Sequence, residues 1–442
     1  MKETVVQFGE GGFLRAFVDC FFQKMNDQGL YDGKVVVIQP RPHGMCGRLM
    51  AQDCRYNLYL RGVSDRQIIN ERTEINVISR CINPWDEFDQ YLALAEQPEL
   101  RVIVSNTTEA GIEYLGTESI DDRPALSFPA KLVQFLYRRY QAGLKGFIIL
   151  PCELIDNNAD RLLECILKYA DLWNLGDGFK NWILNDNSFC STLVDRIATG
   201  YPREEADKMR EEIGWNDQMI DTAEPFHLWA ISGNHEDELP FQKAGINVVW
   251  TDDIAFYKKR KVRILNGSHT SMVPGAYLYG KRTVRECVED MTVLHYLGHV
   301  LHDEILPVIG DTPDNKNFAI AVIDRFANPF IKHMLTSIEL NAVSKFDVRV
   351  LPTILEYKEM FGKYPEGLVM SLAAMIVYYH TDVAQDSAEV LDYMKLASVE
   401  EIMAWDIWHT DITDMTPLVR KYYDIIMKDG MEAAYEEVFK NS

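Results

Sequence analysis

Three polar side chains with the chemistry of a carbonyl reductase fall close together in the second half of the chain. Lys261, Asn266 and His269 lie in the stretch Lys261-Val262-Arg263-Ile264-Leu265-Asn266-Gly267-Ser268-His269. On an α-helix they fall at about 0°, 140° and 80° around the axis and share one broad face. Hydride reduction of a carbonyl needs a proton donor for the new alkoxide and neutral donors that hold its oxygen. We therefore predict catalytic roles for all three, with a solvated basic patch at a helix end as the alternative.

A glycine-rich turn follows the first predicted strand and opens a helical pattern. Gly9 permits a tight turn, and Gly11 lets the backbone approach a pyrophosphate. We therefore predict a dinucleotide site whose candidate residues include Gly9, Gly11, Gly12 and Phe13. Leu14 replaces the third glycine of the G-x-G-x-x-G pattern, and Gln39, not an acid, ends the second strand. A tight turn without a ligand is the alternative, and the choice between NAD and NADP stays open because Arg41 is placed to accept a 2′-phosphate.

Alternating strands and helices must position these groups. Apolar β-branched runs predict buried parallel strands at Thr4–Phe8, Lys34–Ile38, Arg101–Val104 and Gly146–Leu150, with Asn247–Trp250 as the last strand of that layer. A helix is predicted over Phe13–Met25, and further helices over 254–265, 284–305, 318–340, 350–361 and 368–379. This pattern predicts an α/β Rossmann-type N-terminal domain (residues 1–252) that binds the dinucleotide. A mostly α-helical C-terminal domain (residues 253–442) would bind the substrate and carry the catalytic residues.

Composition limits the partners that we expect. The net charge of −22, from 67 acids against 45 bases, disfavours nucleic acid and anionic membrane surfaces. The longest apolar run, Leu368–Tyr379, is shorter than the ~20 residues that cross a bilayer, and the N-terminus lacks a signal-peptide pattern. The eight scattered cysteines are typical of a reducing compartment. We expect a cytoplasmic monomer or homodimer that acts on a small molecule.

A family resemblance extends over essentially the whole chain. Its signature is Lys261-x4-Asn266-x2-His269, together with the glycine turn, Asn106-Thr107-Thr108-Glu109-Ala110-Gly111 and Val194-Asp195-Arg196. These stretches resemble the mannitol dehydrogenase family of polyol-specific long-chain dehydrogenases and reductases. Others, such as Pro151-Cys152-Glu153-Leu154-Ile155-Asp156 and Asn328-Pro329-Phe330-Ile331-Lys332-His333, are similar to the branch that acts on tagaturonate.

The resemblance implies an activity and a cofactor. It implies reversible, NAD-dependent reduction of D-tagaturonate to D-altronate in hexuronate catabolism. D-Fructuronate or another sugar acid or polyol is the alternative substrate. A sensor that binds NAD or a uronate without turnover, and an epimerase with tightly held NAD, are alternatives from other functional classes.

The resemblance also implies roles for individual residues. Lys261 becomes the general acid/base, Asn266 an oxyanion donor and His269 a substrate-orienting group. The cofactor site gains Val194 and Asp195, and the substrate site gains Glu109 and Lys345. The chain has Cys152-Glu153-Leu154 where the family has a second oxyanion asparagine, so that Asn157 and Asn158 become candidates for this role. Ser337 stands in place of a substrate-contacting arginine.

A uronate carries a carboxylate, which an acidic protein must pair with a cation. Lys332, His333 and Lys345 fall within one stretch of the helical half. We predict that at least one of them contacts the substrate carboxylate. For Lys332, a solvated surface position is the alternative.

Three histidines have a spacing that resembles a metal site. His295, His299 and His302 recur at i, i+4 and i+7, next to Asp303 and Glu304. The residues between them are mostly apolar, and the pattern lacks a general-base glutamate between the first two histidines. We therefore predict a packed amphipathic helix and no metal.

Overall fold

The computed structural model describes residues 1–108 and 110–440, and the chain divides into two units. Unit 1 comprises Met1–Arg61 and Ile69–Ile254, and unit 2 comprises Gly62–Ile68 and the chain from Ala255 onward. Unit 1 is built on a parallel sheet and unit 2 is mostly helical, which confirms the predicted fold class. Across the described residues, no helix combines the length and the apolar character needed to span a membrane.

Unit 1 alternates strands with helices along the chain. Its strands are β1 (Lys2–Phe8), β2 (Gly33–Ile38), β3 (Tyr56–Ser64), β4 (Gln67–Ile75), β5 (Ile78–Ile82), β6 (Val102–Ser105), β7 (Ile148–Pro151), β8 (Ser188–Phe189), β9 (Thr192–Asp195), β10 (Asp221–Ala223), β11 (Leu228–Ser232) and β12 (Val248–Thr251). The end of β3, the start of β4 and the residues that connect them, Gly62–Ile68, belong to unit 2. Its helices are α1 (Gly12–Ala16), α2 (Val18–Asp27), α3 (Cys46–Met50), α4 (Phe88–Leu94), α5 (Phe128–Gln141), α6 (Asn158–Leu172), α7 (Asp177–Asp186) and α8 (Ala206–Ile213).

The main sheet has six strands in the order β5-β2-β1-β6-β7-β8, and all neighbouring pairs are parallel. Alternate residues of each strand enter separate cores: Val35 and Val37 of β2 join one, whereas Val36 and Ile38 join the other. Burial on both faces explains why these strands are continuous apolar runs in the sequence. The strand order reverses between β1 and β6, which is where doubly wound sheets open a ligand crevice at their carboxyl ends.

The prediction for the last strand is wrong in one respect. Val248–Thr251 does form a strand, but β12 belongs to a separate three-stranded sheet of order β12-β11-β9. The edge of the main sheet is taken by β8, which pairs with β7. An apolar run predicts a strand but not its partner, because pairing depends on where the intervening chain returns.

The predicted helix over Phe13–Met25 is interrupted. Phe17, with φ −119° and ψ −78°, separates α1 from α2. The break lets the Phe17 ring pack among aromatic neighbours, with centroids 5.1 Å from Phe13, 4.6 Å from Phe21 and 5.4 Å from Trp229. Tertiary packing of one ring therefore overrides the local helical periodicity.

Unit 2 is a helical assembly with two π-helical segments. Its helices are α9 (Ile254–Arg260, whose first residue belongs to unit 1), α10 (Ser268–Leu278), α11 (Val284–Glu289), α12 (Met291–His299), α13 (Leu306–Ile309), α14 (Pro313–Phe326), α15 (Leu335–Ile338), α16 (Ala342–Arg349), α17 (Leu351–Phe361), α18 (Glu366–Tyr379), α19 (Ala388–Leu396), α20 (Val399–Met403) and α21 (Thr416–Lys440, interrupted at Gly430). The π-helical segments are Lys261–Gly267 and Val300–Ile305, and single 3₁₀ turns lie at Asp406–Trp408 and Thr413–Met415.

Two of the long predicted helices are shorter than expected. The helix predicted over 318–340 ends at Phe326 and resumes only as α15, because Pro329 lacks an N–H and disfavours helical geometry in the residue before it. The helix predicted over 284–305 breaks at Asp290, whose carboxylate accepts the N–H groups of Thr292 and Val293 and so begins α12. Lys332 and His333 consequently lie in a non-helical connection.

Arg15 of α1 is almost fully buried beneath the turn Gly9–Gly12, which we call the glycine turn. Its Nε donates to the carbonyl oxygen of Glu10 at 3.2 Å, and its Nη1 donates to that of Met219 at 2.6 Å. Its Nη2 lies 3.2 Å from Oδ2 of Asp221 on β10. Burial raises the pKa of Asp221 to about 6. The guanidinium thus ties the glycine turn to a carboxylate that has no access to water.

Replacing Arg15 with Met should destabilise the protein strongly near pH 7. The substitution leaves Asp221 buried without its cation, for which we expect a loss of about 3–5 kcal/mol in the free energy of unfolding. Urea unfolding at about pH 7 and pH 5 measures this loss. It should shrink at the lower pH, because Asp221 is then mostly protonated in either protein. Exposed Arg48 provides the control, and Arg48→Met should change stability by less than about 0.5 kcal/mol. Equal losses of stability from Arg15→Met and Arg48→Met would contradict the stabilising role of the Arg15–Asp221 ion pair.

Candidate functional site

A cleft of about 490 Å³ opens in unit 1 beside the glycine turn, where β1, β2 and β6 end. Gly9 has φ +127°, and a Cβ there would lie 2.9 Å from the carbonyl oxygen of Asn106. A Cβ on Gly11 would meet nothing within 4 Å, so the backbone is open to a ligand at this point. Both glycines line the cleft. The structure therefore provides close backbone access of the kind that a pyrophosphate needs.

The other residues predicted to bind the cofactor have different surroundings. A Cβ on Gly12 would come within 3.2 Å of the Asp221 carboxylate, so this glycine permits close packing of α1. Phe13 stacks on Phe17. Val194 and Asp195 lie in β9, opposite Trp229 and Leu228 of β11. Gly12, Phe13, Val194 and Asp195 are not among the residues that line the cleft.

Glu10 and Gln39 shape the loop that follows β2. The carboxylate of Glu10 accepts the N–H of Met45 at 3.2 Å, and burial raises the pKa of Glu10. Gln39 donates from Nε2 to the carbonyl oxygens of Arg41 and Pro42, at 2.9 and 3.2 Å. The position where many dinucleotide sites carry an acid is thus used to fold the loop. Sequence reasoning missed Glu10, although its place inside the glycine turn was a signal.

Glu153 organises the ends of β6 and β7. Its Oε1 accepts the N–H and the hydroxyl of Thr107 at 2.9 and 3.0 Å, and its Oε2 accepts the hydroxyl of Ser105 at 3.0 Å. Burial raises the pKa of Glu153. This carboxyl therefore holds the segment leading to the cleft, and Glu109, two residues beyond Thr107, lies outside the described residues.

Asn158 is not available as an oxyanion donor, contrary to its candidacy from the sequence. Its Nδ2 is within hydrogen-bonding distance of the carbonyl oxygens of Pro151, Glu153 and Thr192, at 2.9, 3.0 and 3.1 Å. Its Oδ1 accepts the N–H of Thr192 at 2.9 Å. The side chain is fully buried and acts as a link between strands. Asn157 is exposed with φ +49°.

In unit 2, Lys261 and Asn266 lie on a π-helical segment between α9 and α10. In an α-helix, residues five apart are separated by about 140° around the axis. The i→i+5 hydrogen bonding of a π-helix brings such residues nearly back to the same side. The two predicted catalytic side chains, both half-buried, are therefore better aligned than α-helical spacing predicts. Single π-helical turns inside α-helices are frequent at functional sites.

Gly267 at the end of this segment allows α16 to approach closely. A Cβ at Gly267 would lie 3.0 Å from the carbonyl oxygen of Arg349, the last residue of α16. The side chain of Arg349 then reaches Thr270, with Nη1 3.4 Å from the threonine hydroxyl. Gly267 thus allows the guanidinium of Arg349 to lie beside α10, at Thr270, the residue that follows His269.

His269 is held as a neutral imidazole. Its ring stacks on Phe326, with centroids 4.1 Å apart and 12° between planes, and meets the edge of His333 at 5.3 Å. Burial lowers the pKa of His269 well below its usual value, and the electrostatic effects of His333, Arg325 and Arg349 add to this shift. Nε2 is buried and, among the described residues, has no hydrogen-bond partner. A neutral imidazole with an unpaired nitrogen is suited to a substrate hydroxyl.

The three residues predicted to meet a substrate carboxylate are placed differently. His333 contacts His269, and burial lowers the pKa of His333. Lys345 on α16 is half-buried and donates from Nζ to the carbonyl oxygen of Ile338 at 2.7 Å. Burial and neighbouring Arg349 lower the pKa of Lys345. Lys332 is exposed. The structure thus joins His333 to His269 and puts Lys345 beside Arg349, while Lys332 faces solvent.

The histidines at 295, 299 and 302 are on α12 and the second π-helical segment. His295 stacks on Phe439 at 4.1 Å. His299 lies between two carboxylates, with Nδ1 2.9 Å from Asp303 and Nε2 3.2 Å from Glu304. Within the part of the chain that the structure describes, no group of three or more His, Cys, Asp or Glu side chains is arranged to hold a metal ion.

Comparisons with known proteins decide the family. The family model for the mannitol dehydrogenase Rossmann domain matches residues 3–243, and that for the mannitol dehydrogenase C-terminal domain matches residues 253–421. The chain belongs to the mannitol dehydrogenase family. Its relatives in this family include altronate oxidoreductases. The one from Bacillus subtilis is 42% identical over 98% of this chain and 95% of the relative, and the one from Phocaeicola vulgatus is 45% identical over 88% and 83%.

Two solved structures share the fold. A D-sorbitol dehydrogenase in substrate-free form superposes with a TM-score of 0.86 at 21% identity, covering 98% of this chain and 95% of that one. Mannitol 2-dehydrogenase of Pseudomonas fluorescens, in a ternary complex with NAD and D-mannitol, gives a TM-score of 0.70 at 22% identity, covering 100% and 95%. At these identities the likeness concerns the fold alone.

Replacing Gly9 with Ala should weaken dinucleotide binding. The added Cβ meets the Asn106 carbonyl oxygen, and the positive φ adds strain of about 1–3 kcal/mol, so the turn must move. We expect the Kd for NADH, measured by fluorescence titration, to rise by about 5- to 100-fold.

Gly29 is a matched control for this substitution. It also has a positive φ, of +68°, but a Cβ there would meet nothing within 4 Å, and Gly29 does not line the cleft. Gly29→Ala should leave the Kd for NADH unchanged. An unchanged Kd in Gly9→Ala would show that the glycine turn does not form the cofactor site.

Proposed function

We propose that this protein catalyses the reversible, NAD-dependent reduction of D-tagaturonate to D-altronate in hexuronate catabolism. The identity shared with altronate oxidoreductases over nearly the whole chain carries this proposal. The cleft beside the glycine turn and the polar groups around His269 provide the two kinds of site that such a reaction needs, one for a dinucleotide and one for a polar substrate.

The N-terminal domain, residues 1–252, binds the cofactor. The open backbone at Gly11 and the tight turn at Gly9 fit a pyrophosphate, and the bound NADH supplies the hydride. Asp86 and Glu87 support NAD over NADP. They line a neighbouring cavity of about 440 Å³ where β2 and β5 end, and carboxylates there disfavour a 2′-phosphate. Gly12, Phe13, Val194 and Asp195, which do not line the cleft, remain proposed cofactor residues.

The C-terminal domain, residues 253–442, binds the substrate and handles the proton. Lys261 transfers a proton from Nζ to the keto oxygen, which becomes the new hydroxyl group, and takes it back in the oxidative direction. Asn266, aligned with Lys261 by the π-helical segment, donates its amide N–H to the same oxygen. His269 hydrogen-bonds a substrate hydroxyl through Nε2. Glu109, Lys332, His333 and Lys345 remain proposed substrate residues.

We propose a cytoplasmic protein, monomeric or homodimeric, that has no nucleic-acid or membrane partner. The strongly negative net charge supports the absence of such partners. All eight cysteines are free thiols, which supports a reducing compartment.

The activity is tested by the loss of NADH absorbance with D-tagaturonate and with D-fructuronate, each repeated with NADPH. We expect the highest kcat/KM with D-tagaturonate and NADH. A preference for D-fructuronate would move the substrate assignment within the family. Absence of turnover in all four combinations would contradict the proposed reaction.

The role of Lys261 is tested by Lys261→Met. We expect kcat to fall by about 10²- to 10⁴-fold, because the general acid is lost, while the Kd for NADH stays the same. Lys259, which is exposed and pairs with Glu356 at 2.7 Å, provides the control. Lys259→Met should retain wild-type turnover. A Lys261→Met enzyme with most of its turnover would remove this lysine from the mechanism.

A further inference from the structure

Arg349 combines a charge, a partly buried position and few partners. It is the last residue of α16, one turn after Lys345, so the two cations lie on one face of that helix. Among the described residues its guanidinium makes one hydrogen bond, the 3.4 Å contact with Thr270. Arginine has five N–H donors in a planar fork that matches a carboxylate. Most of these N–H donors are therefore available to a ligand beside Thr270, the residue that follows His269.

The charge of Glu339 acts on both of these cations, yet neither of them forms a hydrogen bond with its carboxyl group. Its side chain is almost fully buried directly after α15, and neither carboxyl oxygen has a hydrogen-bond partner within the described part of the chain. Lys345 and Arg349 from α16 and the hydroxyls of Tyr378 and Tyr379 from α18 are the ionisable groups that face it. Lys345 instead donates to the backbone of Ile338.

We propose that Arg349, together with Lys345, binds the carboxylate of the sugar-acid substrate, and that Glu339 is a positioning residue that stays neutral and leaves both cations to the substrate. This inference rests on the proposed function and deepens it. Two cations beside a neutral Glu339 give the anionic substrate the local positive charge that the acidic protein lacks overall. The charge of Asp386, whose carboxylate accepts the hydroxyl of Tyr379, also acts on Lys345.

The protonation state of Glu339 follows from its burial. Desolvation raises the pKa of Glu339 to about 8, although the charges of Lys345 and Arg349 oppose this shift. At about pH 7 the carboxyl is therefore mostly protonated. Above about pH 8 it ionises and competes with the substrate carboxylate for the two cations.

Arg349→Gln tests the carboxylate site. We expect the KM for D-tagaturonate to rise by about 10- to 100-fold, while the KM for NADH and the thermal midpoint stay near wild-type values. Arg349→Lys should restore part of the loss, since it keeps the charge but not the fork. Arg285, exposed and paired with Glu289 at 2.7 Å, is the matched control, and Arg285→Gln should leave both KM values unchanged.

The outcomes separate this inference from the proposed function. If the wild-type enzyme reduces D-tagaturonate and Arg349→Gln has the same KM for it, the carboxylate site is overturned while the activity stands. If the wild-type enzyme does not reduce D-tagaturonate at all, the proposed function itself fails. Equal increases in the KM for D-tagaturonate and for NADH, with a lowered thermal midpoint, would indicate a structural role for Arg349 and also overturn the inference.

Glu339→Gln tests the positioning role through the pH profile. In the wild-type enzyme we expect the KM for D-tagaturonate to rise as the pH passes about 8. In Glu339→Gln this rise should be much weaker, because residue 339 can no longer ionise, and the KM near pH 7 should stay within about twofold of wild type. The KM for NADH should not follow this profile. Superimposable profiles in the two enzymes would overturn the role of Glu339, because Lys345 alone would then account for the rise.

Discussion

Removing ionisable side chains from water is the constraint on which both units depend. A buried charge must find a counter-ion, or change its protonation state, because water no longer stabilises it. Arg15 in unit 1 follows the first course, since it joins Asp221 and two backbone carbonyls beneath the glycine turn. Glu339 in unit 2 follows the second, since it finds no partner among the described residues and its pKa rises. The cost of desolvation therefore leads to an ion pair beneath the glycine turn in unit 1. In unit 2 it leaves Lys345 and Arg349 without an ion pair to Glu339.

Close approach of backbones is the second recurring device. Gly9 accommodates the carbonyl of Asn106, and Gly267 accommodates the carbonyl of Arg349. Each glycine is needed because a neighbouring strand end or helix end occupies the space of its missing side chain. In unit 1 the result is an open backbone at Gly11. In unit 2 the result is a guanidinium beside α10.

Several features of the site could be predicted because they depend on local sequence. The spacing of Lys261, Asn266 and His269 indicated one helical face, and the glycine turn after an apolar strand indicated a dinucleotide site. The roles that these predictions assign stay proposals. Asn158 shows why local reasoning fails elsewhere: an exposed-looking polar residue in the sequence becomes a buried link, because strands distant in the chain present their carbonyl oxygens to it. Arg349 and Glu339 gave no signal, since each depends on contacts between separate helices.

The sequence by itself determined the fold class and the positions of the main-sheet strands along the chain. Apolar runs and helical periodicity are local properties of the sequence. A strand such as β2 is apolar throughout because both of its faces are covered. Only the tertiary structure decided that β12 joins a separate sheet, that Phe17 interrupts a helix, and that Glu339 is buried within the electrostatic influence of Lys345 and Arg349. Partner choice, aromatic packing and desolvation arise between residues far apart in the chain, so no local pattern encodes them.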